Sequence, residues 1–189
     1  MDIKILLIIG FSYAYGFFEI FMSLRQRLKR NIAKSGDKGS LWVLILFTGI
    51  GYTLSFSIGA TKVGRMDHWN LFFWMGAIFV LIGLIIRIAS IITLKRQFTY
   101  TVTKIENHEL IEKGLYKNIR HPGYLGQLII FIGTAVALSN WLSVVLMTIS
   151  IMIGYIYRIN VEEKFLVEQM GEKYIDYQKH TKKLIPTIF

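Results

Sequence analysis

The chain has 189 residues, a formal net charge of +10, 53% hydrophobic residues and a mean hydropathy of +0.47. It has no cysteine, which excludes disulfides, thiolate metal sites and cysteine nucleophiles. A chain this apolar belongs in a membrane; its positive charge reads as a surface facing anionic lipid headgroups, and nucleic acid is not an expected partner.

Five apolar segments are expected to cross the bilayer as helices: residues 3–24, 41–61, 69–94, 122–138 and 141–157. A hydrocarbon core of about 30 Å takes roughly 20 helical residues. The first segment is followed by no small-residue cleavage site and is expected to stay as a helix, not to leave as a signal peptide. The second carries no charge, and the third carries only Arg87. No charge interrupts the stretch from Pro122 to Tyr157, which is too long for one crossing. Ser139-Asn140 in its middle predicts a tight turn and hence a helical hairpin. Beyond it, Phe165, Leu166, Met170, Tyr174 and Tyr177 recur at helical spacing, which predicts an amphipathic helix that Gly171 kinks or ends. Lys and Arg concentrate in the segments after the first and third spans and in the tail, which predicts an outside N-terminus and a cytoplasmic C-terminus.

Three groups of residues could carry chemistry. The first runs from Gly114 through Tyr116, Arg120, His121, Pro122, Gly123 and Tyr124 to Gly126, where a polar loop enters the fourth span. Pro122 suits the first helical position. The amides of a helix start favour an anion, with Arg120 and His121 as further donors. The glycines leave room for a ligand or for a neighbouring helix, so an interfacial anchor accounts for the same residues. The second is Arg158, Glu162 and Glu163. Arg158 and Glu162 share a helix face, either as an exposed ion pair or as a charged cluster that holds a ligand at the membrane boundary. The third is Arg87, with Glu19 at a similar depth in the first span. Each is either functional or snorkels to the nearby surface. No glycine-rich nucleotide cradle is visible, and His68, His108, His121 and His180 form no H-x-x-x-H pair, so no metal site is expected.

Taken together, the first two groups resemble the isoprenylcysteine carboxyl methyltransferase family, which is similar to phospholipid methyltransferases. Its pattern G-x-Y-x-x-x-R-H-P-x-Y-x-G, an apolar hairpin, R-x-x-x-E-E, G-x-x-Y-x-x-Y and a late I-P is met, in order, across the second half of the chain. The positions that meet it run from Gly114, Tyr116, Arg120, His121, Pro122, Tyr124 and Gly126 to Arg158, Glu162, Glu163, Gly171, Tyr174, Tyr177, Ile185 and Pro186, with a family-like lead-in from His108. Met170 and Lys164 depart from residues common there, a Phe and a third acid. The resemblance implies an all-α integral membrane fold of five transmembrane helices with a C-terminal hairpin and a cytoplasmic amphipathic helix. Residues 1–94 would supply three helices and residues 95–189 the catalytic region of one structural unit.

The resemblance also implies S-adenosylmethionine as methyl donor, and a lipophilic small molecule or lipidated peptide, prenylcysteine-like, as acceptor from the lipid bilayer. It implies cofactor-binding roles for Leu115, Tyr116, His121, Tyr124, Gly126, Glu162 and Glu163. It implies catalytic roles for Arg158, placed nearer the acceptor, and for Glu162. Other readings stay open: a phospholipid amine or lipid hydroxyl as acceptor, a sterol-type reductase using NADPH, and a membrane protein without catalysis.

Overall fold

A computed structural model describes residues 2–30, 37, 39–103 and 109–185. His108 and Pro186 of the motif lie outside the described residues. The described residues form six α-helices: α1 (Ile3–Arg30), α2 (Ser40–Gly59), α3 (Trp69–Leu94), α4 (Pro122–Ala137), α5 (Trp141–Met170) and α6 (Glu172–His180). Short 3₁₀ turns occupy Lys95–Gln97 and Gly114–Lys117.

Four of these helices, α1, α2, α3 and α5, are long and apolar enough to cross a membrane. The fourth expected span is α4, whose 16 residues reach only about 24 Å. The expected break after Tyr157 is absent. No Gly or Pro interrupts the chain there, so α5 runs on for 30 residues through Arg158, Glu162 and Glu163 to Met170. The fifth span and the first half of the amphipathic tail are therefore one helix. Gly171 ends it with φ of 59°, a conformation that glycine adopts without a Cβ clash, and α6 starts beyond it. The predicted hairpin turn is present: Ser139 has φ of 54°, and the Asn140 side chain caps α5 by accepting from the Ser143 amide at 3.1 Å.

Two antiparallel pairs make the framework. In the α3–α4 pair, glycines bring the two backbones into contact. A Cβ on Gly76 would lie 2.4 Å from the Gly133 carbonyl oxygen, and one on Gly83 would lie 2.6 Å from that of Gly126. Small residues at a helix seam are how packing is gained where lipid removes the hydrophobic drive. In the α2–α5 pair, serines take that place. Ser55 Oγ donates to the Ser143 carbonyl at 3.1 Å, Ser143 Oγ returns a bond to the Ser55 carbonyl at 2.7 Å, and Ser150 Oγ donates to Phe47 at 2.7 Å. The apolar core lies between the pairs, around Phe131, Met147, Ile151 and Tyr155.

These registers decide depth. Gly76 meets Gly133 and Gly83 meets Gly126, so Pro122 starts α4 level with Arg87. That is about 10 Å short of the end of α3 at 1.5 Å per residue. Likewise Ser55 meets Ser143, which sets Ser40, the start of α2, level with Arg158 and well short of the end of α5. Helices α2 and α4 therefore begin at the floor of a recess walled by α1, α3 and α5.

The seam makes a contrast of sign. Gly→Ala in an exposed helix position gains up to about 1 kcal/mol, whereas overpacking a close contact costs about 1–3 kcal/mol. Gly76→Ala is expected to lower the thermal midpoint in detergent. Gly10→Ala on α1, where nothing lies within 4 Å, is expected to leave it unchanged or raise it.

Candidate active site

The recess floor is held by the chain just before α4. Residues 118–121 run beside the tail: the Arg120 amide donates to Lys182 at 2.8 Å, the His121 amide to Lys183 at 3.0 Å, and the Lys182 amide to Asn118 at 3.0 Å. The Arg120 guanidinium is buried among protein acceptors. Its Nε donates to Glu163 Oε1 at 2.6 Å, and Nη1 reaches the carbonyl oxygens of Gln178 and Thr181. Arg120 thereby ties the α4 start to α5 and to the end of α6. Tyr177 adds a bond from its hydroxyl to the Tyr116 carbonyl at 2.6 Å.

A cavity of about 500 Å³ opens on this floor and extends between α1 and α2, with mostly apolar walls. Its polar wall is a chain of three side chains. Arg158 Nε donates to the Tyr124 hydroxyl at 3.1 Å, and that hydroxyl donates to Glu162 Oε2 at 2.7 Å. The Tyr124 ring stacks on His121 at 5.6 Å between centroids. His121 Nε2 faces Glu163 Oε1 at 3.3 Å, and Nδ1 lies 3.9 Å from Glu162 Oε1. Glu162 keeps 27% of its side chain exposed toward the cavity, while Glu163 keeps 8%. Successive helical residues point about 100° apart, so Glu162 reaches Tyr124 and Glu163 reaches Arg120, with His121 between them.

Arg158 is 1% exposed. Its Nη1 is engaged by the Asp37 carboxylate and by Ser40 Oγ, the latter at 2.6 Å, and its Nη2 donates to the Tyr100 carbonyl at 2.9 Å. The start of α2 and the segment after α3 thus converge on it. That segment is itself held by α1. Gln26 donates to the Phe98 carbonyl at 2.8 Å and accepts from the Tyr100 amide at 2.7 Å. Deeper in the cavity, Arg87 forms a two-point pair with Glu19, with Nη2 to Oε2 at 2.9 Å and Nε to Oε1 at 3.2 Å.

Burial sets the protonation state of the surrounding phenols. It raises the Tyr116 hydroxyl well above its ordinary range, helped by the Glu162 carboxylate. It does the same to Tyr174, helped by Glu163 and Glu162, and to Tyr177 against the opposing pull of Arg120. Burial pushes Tyr100 up to about 12. These phenols remain neutral hydrogen-bond donors throughout the physiological range. The polar wall therefore offers a fixed cation, one accessible carboxylate, neutral phenols, and an α4 start with no side-chain cap. Such a wall can hold a zwitterion and orient an anion.

The structure brings five expected residues to one cavity wall: Tyr116, His121, Tyr124, Arg158 and Glu162. Three lie outside the lining. Gly126 serves packing, since a Cβ there would lie 2.7 Å from the Arg87 amide. Glu163 is taken up by Arg120 and His121. Leu115 sits in the 3₁₀ turn, where its carbonyl accepts from the Ile119 amide at 3.1 Å. Arg158 does not present the open fork expected of it, because Asp37, Ser40, Tyr124 and Tyr100 occupy it. Arg87 does not snorkel: it is 5% exposed, paired with Glu19 and covered by the Phe98 and Tyr100 rings at 5.2 and 5.7 Å. Asp37, Ser40, Gln26 and Tyr100 belong to no motif read in the sequence. Only the matching depths of Glu19 and Arg87 in two apolar spans hinted at one of these partnerships.

Residues 71–173 match the phospholipid methyltransferase family profile, a range that holds the whole polar wall. The chain is 37% identical over 131 residues to protein-S-isoprenylcysteine O-methyltransferase A of Arabidopsis thaliana, covering 66% of this chain and 64% of that protein. It is 36% identical over 116 residues to the protein-S-isoprenylcysteine O-methyltransferase of Saccharomyces cerevisiae, covering 60% of this chain and 48% of that protein. The chain thus spans from about half to two thirds of the length of these relatives. In fold it is similar to the eukaryotic intramembrane Ras methyltransferase ICMT (isoprenylcysteine carboxyl methyltransferase), with a TM-score of 0.66 at 23% identity over 95% of this chain and 66% of that one.

The raised phenols set an alkaline limit. A tyrosine whose folded-state pKa exceeds its unfolded value near 10 stabilises the fold fully below about pH 10, and this contribution is lost as pH rises further. The thermal midpoint is expected to hold between pH 7 and about 9 and to fall above about 10. Tyr174→Phe, which has no proton to lose, should make that fall shallower.

Proposed function

The chain belongs to the phospholipid methyltransferase family and is a multi-pass integral membrane protein; from these premises we propose that it transfers a methyl group from S-adenosylmethionine to the carboxylate of a lipophilic, prenylcysteine-like acceptor. The observation that carries this reading is the continuity of one cavity. It passes from apolar walls between α1 and α2 to the Arg158–Tyr124–Glu162 wall at the recess floor. A lipid chain and a polar donor could meet there, each arriving from its own phase.

The residues present fit the donor. The uncapped start of α4 suits its carboxylate. Glu162, the accessible acid, suits its ammonium. Phe165, Leu166 and Met170 supply apolar wall for its purine. When bound, the donor supplies an electrophilic sulfonium methyl, whose transfer to a carboxylate oxygen needs no general base. The side chains therefore orient and exclude water. Holding reactants at near-attack distance contributes about 7–11 kcal/mol. Arg158 is the orienting cation, and Asp37 supports the assignment: it already sets a carboxylate on Nη1, the arrangement the reading requires of the acceptor. Acceptor binding then exchanges one carboxylate for another on that nitrogen.

We also read α4 as a fifth crossing, completed by the chain ahead of Pro122, with the N-terminus outside and the recess facing the cytoplasm, from the distribution of Lys and Arg. On this reading residues 1–94 and 95–189 form one unit, supported by the packing of α3 on α4 and of α2 on α5.

The accessible Glu162 favours one rival, an amine acceptor with that acid as general base. The pH–rate profile separates them. Carboxylate methylation should be flat from about pH 6.5 to 9, where the acceptor is ionised and the wall phenols are neutral; an amine acceptor should give a rising limb.

Calorimetry in nanodiscs provides the main test. S-adenosylmethionine should bind saturably, and His121→Ala should weaken binding by about 10-fold or more, the effect of one lost charge-assisted contact. Arg158→Ala should abolish turnover with donor binding held within about threefold, under the 1.4 kcal/mol that a tenfold change represents. Failure of the folded wild type to bind the donor would overturn the reading, and equal loss of binding and turnover in Arg158→Ala would overturn the role of Arg158.

A further inference from the structure

We propose that Tyr52 limits the length of the acceptor's tail: it closes the deep end of the apolar arm of the cavity, which takes a chain up to about farnesyl length and disfavours a longer one. The inference rests on the carboxyl-methylation reading and adds to it a size limit that the reacting end does not supply.

The apolar arm runs between α1 and α2 away from Arg158, and it stops at one depth on three helices. Its last lining residues are Ser12 on α1, Tyr52 on α2 and Phe131 on α4. Beyond them the same helices are packed shut. Ile8 of α1, Phe73 of α3 and Ala137 of α4 form a buried cluster with Phe56 of α2 packed against it. Tyr52 is the plug between the open arm and this closed region. Its ring meets Phe131 edge-on at 5.8 Å and Phe56, one turn further along α2, at 5.8 Å between centroids. Its hydroxyl meets those of Ser12 and Thr134. The ring is therefore held from α1 and α4 as well as by its own helix. A side chain fixed from three helices is a stop that a tail does not push aside, because packed interiors have low compressibility.

The depth of the stop matches a particular size. Ser40 stands at Arg158, and Tyr52 lies about 18 Å further along α2 at 1.5 Å per residue. An extended carbon chain advances about 1.3 Å per bond, for a bond near 1.5 Å at a tetrahedral angle. From its carboxylate carbon to its last main-chain carbon, an S-farnesyl cysteine is then about 19 Å long. A farnesyl tail thus fills the arm with slight bending. One more isoprene unit adds about 5 Å, which the stop does not admit. With the carboxylate kept on Arg158, the excess must bend within the arm, and crowding there costs as overpacking does.

Three N-acetylcysteine thioethers decide the matter: S-geranyl, S-farnesyl and S-geranylgeranyl, each one isoprene unit longer than the last. With the protein in nanodiscs, kcat/KM for the farnesyl compound should exceed that for the geranylgeranyl compound by about 10-fold or more, the effect of overpacking a closed apolar space. Tyr52→Ala removes the plug, and that ratio should fall to near one. Thr48→Phe sets a ring one turn nearer Arg158, at a residue that lines the same arm. It should move the preference to the geranyl compound by a similar factor. Donor affinity and thermal midpoint check the fold of each variant, and Thr48→Phe decides if Tyr52→Ala fails to fold. A wild-type ratio near one shows that the tail turns out between α1 and α2 into lipid, and overturns the limit. A ratio that survives in folded Tyr52→Ala, or a length preference unmoved in folded Thr48→Phe, overturns the stop at Tyr52. Each of these outcomes leaves the methyltransferase reading intact. Methylation of none of the three by wild type, under conditions where the donor binds, overturns the carboxyl-methylation reading itself and the limit with it.

Discussion

The close approach of the α3 and α4 backbones is the constraint on which the rest depends. Four glycines, Gly76 and Gly83 facing Gly133 and Gly126, allow contacts that any side chain would block. They also fix the register, and the register fixes depth. Because Pro122 stands level with Arg87, the loop that carries Tyr116, Arg120 and His121 descends into the molecule before α4 can start. The start of that helix, which has no side-chain cap, then opens onto a recess shielded from bulk water, where hydrogen bonds and charges act more strongly than at an exposed surface.

Three buried arginines join the elements around that floor, each by a different solution to the cost of burying a charge. Arg120 takes a carboxylate and two carbonyls, and holds α5 and the end of α6 to the α4 start. Arg158 takes a carboxylate, two hydroxyls and a carbonyl, and holds α5 to the start of α2, to α4 and to the segment after α3. Arg87 takes one carboxylate and two aromatic faces, and holds α3 to α1. All three line the cavity.

Four of the five expected spans were legible in the sequence because lipid imposes one simple rule on everything that crosses it. That rule says nothing about where a helix stops once it leaves the bilayer. Tyr157 therefore looked like an end, whereas α5 continues to the first residue that breaks it, Gly171. The polar wall was legible as a set, since Tyr116, His121, Tyr124, Arg158 and Glu162 sit at ordered spacings around a hairpin. The division of labour within the set was not. Adjacent Glu162 and Glu163 are indistinguishable by type, and only the turn of α5 sends one to the cavity and the other to Arg120. Gly126 suited a ligand or a helix equally well until α3 was seen against it. Asp37 and Ser40 meet Arg158, and Gln26 meets Phe98 and Tyr100, each 72 or more residues away in sequence, and no local pattern marks such contacts.

The first helix shows how such a site could stay open to lipid. α1 packs on the core through Ile8, Phe11 and Tyr15, and its other ties are polar. Lys4 bonds to Asn70 near one end, Glu19 pairs with Arg87 in the middle, and Gln26 holds the Phe98–Tyr100 backbone near the other. Polar ties hold a helix at points, whereas apolar packing holds it along a face. A helix held at points leaves gaps between them, and the cavity occupies such a gap, with Gly16 and Ile20 of α1 and Leu41 and Ile45 of α2 on its walls. The middle tie lines the cavity. The Gln26 tie holds Tyr100, whose carbonyl holds Arg158. Helix α1 and Arg158 are thus joined through the Gln26 side chain and the Tyr100 backbone.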